Sequence, residues 1–563
     1  MPQWQKRVKR YLDYSQPRQT FGVLMDGATA RDLHLLIFAV GIGIAFSVIT
    51  GFPFSSPIFT AFIKEELKFS DSQYGLISAL PWFTVLIQIP FSAYIRKKPR
   101  IKELFIPLLS IVRLSFVGLG ILAAFINDDL LAQFTAFMFI FMGFTSALNW
   151  MSDLLFNIWV GAAVPPSCNG RFFSTRQTVM SAATLVYSLT VTLLTNAMGD
   201  WQYKYTVLFV AAGLFGFLDV LMFFFIRRPQ EAFTPVPELS QAGTPAAKPV
   251  PGEVQPGRSR NVFRAVRERR KRELFPRFSA NIFMPLKDKR YRSYLLFTTL
   301  YAFGLQINSP YVNVYMLEVL KLPLGTQTFL AVLVPGIATV LFIGSTGRLS
   351  DRYGFRNSLL LFGFLSALAP LPWLLVHDPT WWLIIPINFT WGITGVATDL
   401  AILSMSIFLA PAENRSLYIS SKAIFTNIFG VVPGMLLGGF LSDYLTEPLS
   451  RLPFTFPGGY EILPYHVLLL IATVLRSAAI LIFVRQLPLD ADYDFRSFIQ
   501  ELRGRFRRRP GFPGNGRDAG YLPDHDLVSA HEQPAVFLDP DSNISEDILQ
   551  DAEDAARDRD RED

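Results

Sequence analysis

The sequence predicts an all-α membrane protein in which twelve transmembrane helices form two similar six-helix bundles. Hydrophobic residues make up 51% of the 563-residue chain, charged residues make up only 17%, and the mean hydropathy is +0.32. A hydrocarbon core about 30 Å thick requires roughly 20 apolar residues per helix. Twelve such runs occur, near residues 34–57, 75–95, 103–125, 131–163, 177–197, 205–226, 293–316, 327–346, 357–376, 381–410, 423–445 and 465–485.

The apolar segments of the first half recur in the second half. At an offset of 253, the matching residues are Ser56-Pro57 and Ser309-Pro310, Glu65 and Glu318, Leu67 and Leu320, and Lys68 and Lys321. At an offset of 246, they are Ser152-Asp153-Leu154 and Thr398-Asp399-Leu400, Pro165 and Pro411, and Arg176 and Lys422. A duplicated membrane half is a common origin of transporters with a site near the midplane.

The polar stretches divide the chain into five parts. Residues 1–32 are polar and basic, and we expect a short helix at the inner membrane surface. Residues 33–227 hold the first six helices, and residues 293–487 hold the second six. Between them, residues 228–292 form a cytoplasmic linker whose second part predicts a basic amphipathic helix. Residues 488–563 predict a disordered cytoplasmic tail, basic first and acidic last.

The distribution of Lys and Arg predicts the orientation. If the N-terminus is cytoplasmic, 45 of the 52 basic residues fall in cytoplasmic segments, as the positive-inside rule requires. Both termini are therefore expected in the cytoplasm. We also expect the protein to lie in the plasma membrane and to act as a monomer. The net charge of +7 reflects this topology and not nucleic-acid binding.

Several classes of chemistry are disfavoured by the sequence. A single cysteine, Cys168, excludes an intramolecular disulfide and a cysteine-based metal cluster. The sequence contains no P-loop motif, so direct use of ATP is not expected. The five histidines are scattered at helix ends and in the tail, which argues against an enzyme. We expect neither a cofactor nor a bound metal.

The loop after the eighth helix carries a family resemblance. It reads Gly347-Arg348-Leu349-Ser350-Asp351-Arg352-Tyr353-Gly354-Phe355-Arg356. This resembles the signature cytoplasmic loop of the major facilitator superfamily, G-x-L-x-D-R-x-G-[RK]-[RK], with Phe355 departing at one basic position. The resemblance covers residues 33–487. It implies two bundles related by a pseudo-twofold axis and transport by alternating access.

The same resemblance implies a conformational latch, formed by Gly347, Asp351, Arg352, Gly354 and Arg356. A carboxylate at position 351 can accept backbone N–H bonds from a neighbouring helix end and pair with a nearby arginine. A static topology determinant is the alternative. The first-half counterpart, Ala93 to Lys102, has lost the pattern, so a one-sided latch is expected.

A glycine series lies in the eleventh helix, at Gly430, Gly434, Gly438 and Gly439. Small residues at this spacing allow two helices to approach closely. Close packing is the favoured interpretation, and a role in ion coupling is the alternative.

Two acids within the apolar runs are the main functional candidates. Asp153 and Asp399 each lie 12 residues before a proline, about 18 Å from the cytoplasmic helix end and therefore near the midplane. Burial favours the protonated form of a carboxyl group, so both are candidates for proton coupling or for binding a cation. The alternative for Asp153 is a buried ion pair with Arg113. No basic residue that could pair with Asp399 is evident in the adjacent ninth helix.

Other intramembrane polar residues extend this candidate site. Asp219 and Arg476 lie on helices that the resemblance makes peripheral, and an interhelical role is favoured over substrate contact. The expected substrate contacts are Asn149 and Trp150, a turn from Asp153, and Gln306, Asn308 and Asn313 on the seventh helix.

These features predict a secondary transporter for a small molecule, with protons as candidate coupling ions and the lipid bilayer as its surroundings. The alternative is a non-transporting membrane scaffold or sensor that acts through the linker and tail. The missing helix-5 Gly-Pro motif argues against a drug:proton antiporter, and missing sugar-porter signatures argue against simple sugar import.

Overall fold

A computed structural model describes most of the membrane-spanning part of the chain. The described residues are 17–51, 56–97, 100–126, 128–165, 168–227, 283–411, 415–451 and 461–489, with single positions at 495 and 499. The predicted amphipathic linker helix and nearly all of the predicted tail lie outside these residues. The described helices belong to one compact unit, Met1–Ile499.

The first half begins with an antiparallel hairpin of β1 (Arg18–Thr20) and β2 (Val23–Met25). This hairpin occupies part of the segment for which a surface helix was predicted, and the first membrane helix starts earlier than its apolar run suggested. The six helices are α1 (Gly27–Thr50, then Pro57–Ala61), α2 (Asp71–Thr84, then Gln88–Lys97), α3 (Ile101–Ala123), α4 (Leu131–Ala163), α5 (Asn169–Met198) and α6 (Lys204–Phe224).

The second half supplies six more helices, several of them interrupted. They are α7 (Lys289–Gln306, then Ser309–Val314), α8 (Leu324–Thr328, then Val334–Tyr353), α9 (Phe355–Ser358, then Phe364–Leu368), α10 (Ile384–Leu409), α11 (Arg415–Thr426, then Val432–Ser450) and α12 (Pro464–Phe483). The interruptions in α8, α9 and α11 are single π-helical turns.

Eleven of these helices are long and apolar enough, within the described residues, to cross a membrane. The twelfth is α7, which begins with basic residues and breaks at Asn308, next to Pro310. Proline cannot donate a backbone hydrogen bond, so helices commonly break where it occurs. The prediction of a twelve-helix membrane protein is therefore confirmed.

The internal repeat is visible in the backbone. π-Helical turns occur at Phe62–Glu66 and at Tyr315–Val319, which are separated by the same 253 residues as the sequence repeat. Each turn is followed by a lysine in the left-handed region, with φ of 51° at Lys68 and 48° at Lys321. Few non-glycine residues adopt this conformation. Its recurrence at matching positions supports a duplicated half.

Helix packing follows the same repeat. In the first half α1 packs on α6 and α2 packs on α4, and α3 also packs on α6. The equivalent pairs of the second half also pack together, α7 on α12 and α8 on α10. The halves meet where α2 contacts α11 and where α5 contacts α8. Exchanging the two halves converts one of these contacts into the other, as a pseudo-twofold axis requires.

The glycine series of α11 lies against α7. A Cβ atom added to it would fall too close to α7 carbonyl oxygens: 2.6 Å for Gly430 and Thr299, 2.7 Å for Gly434 and Phe303, and 2.3 Å for Gly438 and Ile307. The backbones approach so closely that a side chain does not fit. The geometry thus favours the packing interpretation of these glycines.

Candidate functional site

A cavity of about 240 Å³ lies in the first half, between α1, α3, α4, α5 and α6. Its polar lining includes Arg113, Asn149, Asp153, Arg176 and Asp219. The cavity thus gathers two cations and two carboxylates from four helices. We call it the N-half cavity.

One ion pair of this cavity differs from the predicted one. The Arg113 Nη2 atom lies 3.2 Å from the Asp219 Oδ2 atom, and both side chains are buried. A Cβ atom at Gly43 would lie 2.5 Å from Asp219 Oδ2, and one at Gly216 would lie 2.6 Å from Arg113 Cδ. The alternative in which Arg113 pairs with Asp153 is therefore not the arrangement found, because the ion pair forms between α3 and α6, where these glycines leave room for it.

The two midplane acids have equivalent surroundings in the two halves. Asp153 accepts a 3.0 Å hydrogen bond from Asn157 Nδ2 and interacts electrostatically with Arg176 on α5. Asp399 interacts with Lys422 on α11, the repeat counterpart of Arg176. Each half therefore carries an acid on its fourth helix and a base on its fifth. The sequence repeat aligns these residues but does not indicate that the acid and the base interact.

Asp399 differs from Asp153 in having a second cation. Arg476 on α12 also acts electrostatically on Asp399. The ninth helix was expected to offer Asp399 no basic partner, and the bases near Asp399 come from α11 and α12 instead. The Asp399 side chain nevertheless remains exposed.

A second cavity, of about 210 Å³, lies in the second half and is called the C-half cavity. Asn308, Asn313, Asn388, Trp391 and Arg476 contribute polar groups to its lining, and Pro57 of α1 borders it from the first half. The Asn388 Nδ2 atom donates a 2.8 Å hydrogen bond to the Leu330 carbonyl. That bond fixes the Asn388 amide on the cavity wall.

Arg476 is both an interhelical link and part of this wall. Its Nη2 atom donates hydrogen bonds to Tyr301 Oη at 2.9 Å and to Ser366 Oγ at 2.7 Å. Its guanidinium carbon lies 5.2 Å from the centre of the Trp391 ring. The guanidinium group therefore links α12 to α7 and α9 beside the cavity.

The remaining predicted contacts divide into two groups. Asn149 lines the N-half cavity, and Asn308 and Asn313 line the C-half cavity. Trp150 instead donates a 2.6 Å hydrogen bond from Nε1 to the Pro81 carbonyl of α2. Gln306 lies at the end of the first segment of α7, close to Gly434. Neither Trp150 nor Gln306 is among the residues that line these two cavities.

Charged residues join the two halves at one face of the bundle, the predicted external face. Lys64 is hydrogen-bonded to Asp71 of α2, and its Nζ atom lies 3.1 Å from Glu318 beside α7. The Tyr465 hydroxyl donates to Asp71 at 3.0 Å and to Glu318 at 3.2 Å. Two of these contacts, Lys64 with Glu318 and Tyr465 with Asp71, join residues of different halves.

The same face holds a helix cap supplied by the opposite half. The Asp443 carboxylate of α11 accepts hydrogen bonds from the backbone N–H groups of Asp71 at 3.1 Å and Ser72 at 2.8 Å. The Ser442 hydroxyl donates to Asp71 Oδ2 at 2.5 Å. A carboxylate stabilises a helix N-terminus, so Asp443 holds α2 against α11. We call the residues Lys64, Asp71, Glu318, Ser442, Asp443 and Tyr465 the interhalf network.

Sequence reasoning missed the interhalf network. The repeat singles out Glu318, but it does not indicate that Glu318 would meet Lys64 of the other half. The sequence around α2 does contain a capping box, Ser70 with Gln73, which marks the start of a helix. Nothing in that motif indicates that a carboxylate from the other half would complete the cap.

The predicted latch loop binds the end of α12. Arg356 donates from Nε to the Val484 carbonyl at 3.3 Å and from Nη2 to the Arg485 carbonyl at 2.9 Å. Its first-half counterpart, Lys102, donates to the Phe224 carbonyl at 2.8 Å and to the Ile226 carbonyl at 2.5 Å, at the end of α6. The basic residue thus caps a helix C-terminus in both halves, although the rest of the first-half motif is lost.

The other latch residues shape the loop itself. Gly354 ends α8 with a φ of 90°, a conformation that favours glycine. Gly347 faces Leu400 of α10, and the Arg352 guanidinium lies 5.3 Å from the Tyr353 ring centre. The side chain of Asp351 lies outside the described part of the structure. Its role in a latch therefore stays a prediction.

Two symmetry-related membrane bundles with charged cavities and a shared boundary define the protein as a membrane transporter. The sequence of residues 36–433 matches the Major Facilitator Superfamily, and the chain belongs to that family. Membership assigns it to transporters and not to enzymes. No curated protein matches the sequence significantly.

Solved transporter structures share the fold at low sequence identity. A mutant of the nucleoside transporter NupG is 14% identical, with a TM-score of 0.55 and coverage of 81% of this chain and 99% of that one. A D-xylose–proton symporter is 11% identical, with a TM-score of 0.54 and coverage of 82% and 98%. A bacterial homologue of the iron transporter ferroportin, in an inward-facing state, is 13% identical, with a TM-score of 0.53 and coverage of 81% and 98%.

Proposed function

We propose that the chain is a secondary transporter that moves a small molecule by alternating access, with protons coupled through Asp399. The observation that carries the proposal is the interhalf network, whose bonds join the two halves at the predicted external face. The protein is proposed to act as a monomer in the plasma membrane, with both termini cytoplasmic. The excess of Lys and Arg in the predicted cytoplasmic segments supports that orientation.

Alternating access requires contacts that hold one face closed and can be broken. The interhalf network fits this requirement because its bonds join side chains from different halves and lie at the predicted external face. Glu318 is partly exposed, so its ion pair with Lys64 contributes modestly and can be exchanged for water. The network therefore stabilises an externally closed state without locking it.

Proton coupling requires an acid whose charge depends on its surroundings. Asp399 has basic residues on two different helices nearby, and a neighbouring cation stabilises a carboxylate. A movement of α11 or α12 that withdraws Lys422 or Arg476 would favour proton uptake instead. Asp153 with Arg176 is the equivalent pair in the first half and a second candidate for the same role.

The proposal is tested by metabolite profiling inside and outside cells that express the wild type, Asp399→Asn or an empty vector. We expect one compound class to shift with the wild type and to revert with Asp399→Asn. An equal shift with the variant would leave transport established and contradict the assigned role of Asp399. If nothing shifts although folded protein is in the membrane, the scaffold interpretation gains support, and deletion of residues 228–282 or 500–563 tests it.

A further inference from the structure

The charges in the two halves are not balanced in the same way. In the first half each cation has its own acid, Arg113 with Asp219 and Arg176 with Asp153. In the second half two cations, Lys422 and Arg476, act on the single carboxylate of Asp399. With all three groups ionised, one positive charge is left over. An uncompensated charge within the membrane is unfavourable, so an anion bound nearby would stabilise this half.

Arg476 is the cation that faces the C-half cavity. Its side chain is 1% exposed, and its two hydrogen bonds go to the neutral hydroxyl groups of Tyr301 and Ser366. Its buried Nε atom has no hydrogen-bond partner among the described residues. The planar guanidinium group matches the geometry of a carboxylate. A carboxylate in the cavity would satisfy both the charge and the unused donor.

The Asn308 side chain indicates that the ligand also carries a hydrogen-bond donor. It lines the same cavity, is 7% exposed, and within the described part of the chain its Oδ1 atom has no hydrogen-bond partner. A buried polar atom without a partner is unfavourable. An amide oxygen only accepts hydrogen bonds. The ligand should therefore carry an O–H or N–H group.

The rest of the wall suits an apolar group. Trp373, Trp391 and Met316 line the C-half cavity beside these polar residues. A mostly apolar pocket with a few polar groups is the usual design of a small-molecule site. We infer that the C-half cavity binds a small organic carboxylate with a neighbouring hydrogen-bond donor, its carboxylate at Arg476 and its donor at Asn308. This inference rests on the proposed transport function and names the substrate class.

Binding to the purified full-length protein at constant pH tests this inference, with thermal stabilisation and tryptophan fluorescence as readouts. The probes are lactate, mandelate and phenylalanine, with lactamide and mandelamide as uncharged analogues and phenylacetate as an acid without the donor. We expect mandelate or phenylalanine to bind at least about tenfold more tightly than mandelamide, because a charge-assisted hydrogen bond is lost in the amide. Preference for the hydroxy acid or the amino acid identifies which donor the site takes.

Variants assign the two contacts. Asn308→Leu should weaken mandelate binding about tenfold and leave phenylacetate binding unchanged, whereas Arg476→Gln should weaken both. Gln327→Met is the matched control, because Gln327 is fully buried, its Oε1 atom has no hydrogen-bond partner among the described residues, and it does not line the C-half cavity. If Arg476→Gln does not fold, the comparison of acids with amides on the wild type still decides the charge requirement.

Two results would overturn the inference: amides that bind as tightly as the acids, or an absence of acid binding by folded wild-type protein. Mandelate affinity that is unchanged in Asn308→Leu would overturn the assignment of the donor. Different results would contradict the proposed transport function. Acids that bind but do not cross proteoliposome membranes would contradict transport alone, and transport of another compound class without acid binding would contradict only the inference.

Discussion

The guanidinium group of Arg113 on α3 pairs with the carboxylate of Asp219 on α6, with 3.2 Å between Nη2 and Oδ2. Both residues line the N-half cavity, yet the pair leaves Asp153 to interact with Arg176 on α5. The first half thus has an ion pair that joins α3 to α6 and a second acid, Asp153 on α4, whose electrostatic partner is Arg176 on α5.

The Arg113–Asp219 pair is expected to be structural. Asp219→Asn should lower the free energy of unfolding by about 3–5 kcal/mol, because it leaves a buried guanidinium group without its counter-charge. Thermal denaturation of the purified protein measures this change. The double variant Arg113→Gln/Asp219→Asn should lose less than the sum of the single variants. Strictly additive losses would show that the two charges do not stabilise each other.

Asp399 is expected to act in coupling and not in stability. Asp399→Asn should abolish proton-driven accumulation of the substrate in proteoliposomes and retain exchange of substrate across the membrane, because a neutral amide does not carry the proton. The comparison is made with the substrate that metabolite profiling identifies. Asp399→Glu, which keeps the acid, is the control and should retain part of the accumulation. Normal accumulation by Asp399→Asn would exclude this residue as the proton carrier.

Asp443 is expected to hold the predicted external face closed. Its two carboxylate oxygens each accept a backbone N–H group of α2 from across the halves. Asparagine has one acceptor oxygen and would turn its NH2 group toward the second N–H, and loss of a cap bond typically changes stability by about 1 kcal/mol. Asp443→Asn should therefore open this face several-fold more often. Because Cys168 is the only cysteine, a Cys168→Ser background with Ser309→Cys in the C-half cavity gives a single reporter thiol. A membrane-impermeant thiol reagent added outside measures its labelling rate.

The matched control for that experiment is Glu447→Gln, on the same helix as Asp443 but with its ion pair directed to the exposed Arg451. This variant should label at the rate of the parent protein. Equal labelling rates for Asp443→Asn and the parent would contradict the gating role of the interhalf network. Faster labelling from the opposite side of the membrane would contradict the predicted orientation.

The basic caps on α6 and α12 are expected to contribute equally in the two halves. Lys102→Ala and Arg356→Ala should each lower the free energy of unfolding by about 1 kcal/mol, since each removes a cation from a helix C-terminus. Arg352→Ala is the comparison, because its guanidinium group lies against the neighbouring Tyr353 ring and its side chain is exposed. If only Arg356→Ala lowered the free energy of unfolding, the result would support a latch present in the second half alone.

Much of the fold is determined by the sequence alone. The number of helices and the duplication follow from hydropathy and repeated residues, which are properties of the chain read locally. Even the matching left-handed residues Lys68 and Lys321 stand at positions that the repeat had aligned. The two midplane acids, Asp153 and Asp399, were likewise evident because a carboxylate in an apolar run is rare.

Only the tertiary structure decided which charges meet. Arg113 and Asp219 are separated by 106 residues, and Asp443 meets the backbone of Asp71 across 372 residues. Membrane helices are apolar around most of their circumference, so hydrophobic periodicity does not reveal which face turns toward a neighbour. The rotation of each helix is instead set by side-chain packing and by small residues such as Gly43 and Gly216. For this reason the sequence reveals which charged residues lie in the membrane but not which of them pair with one another.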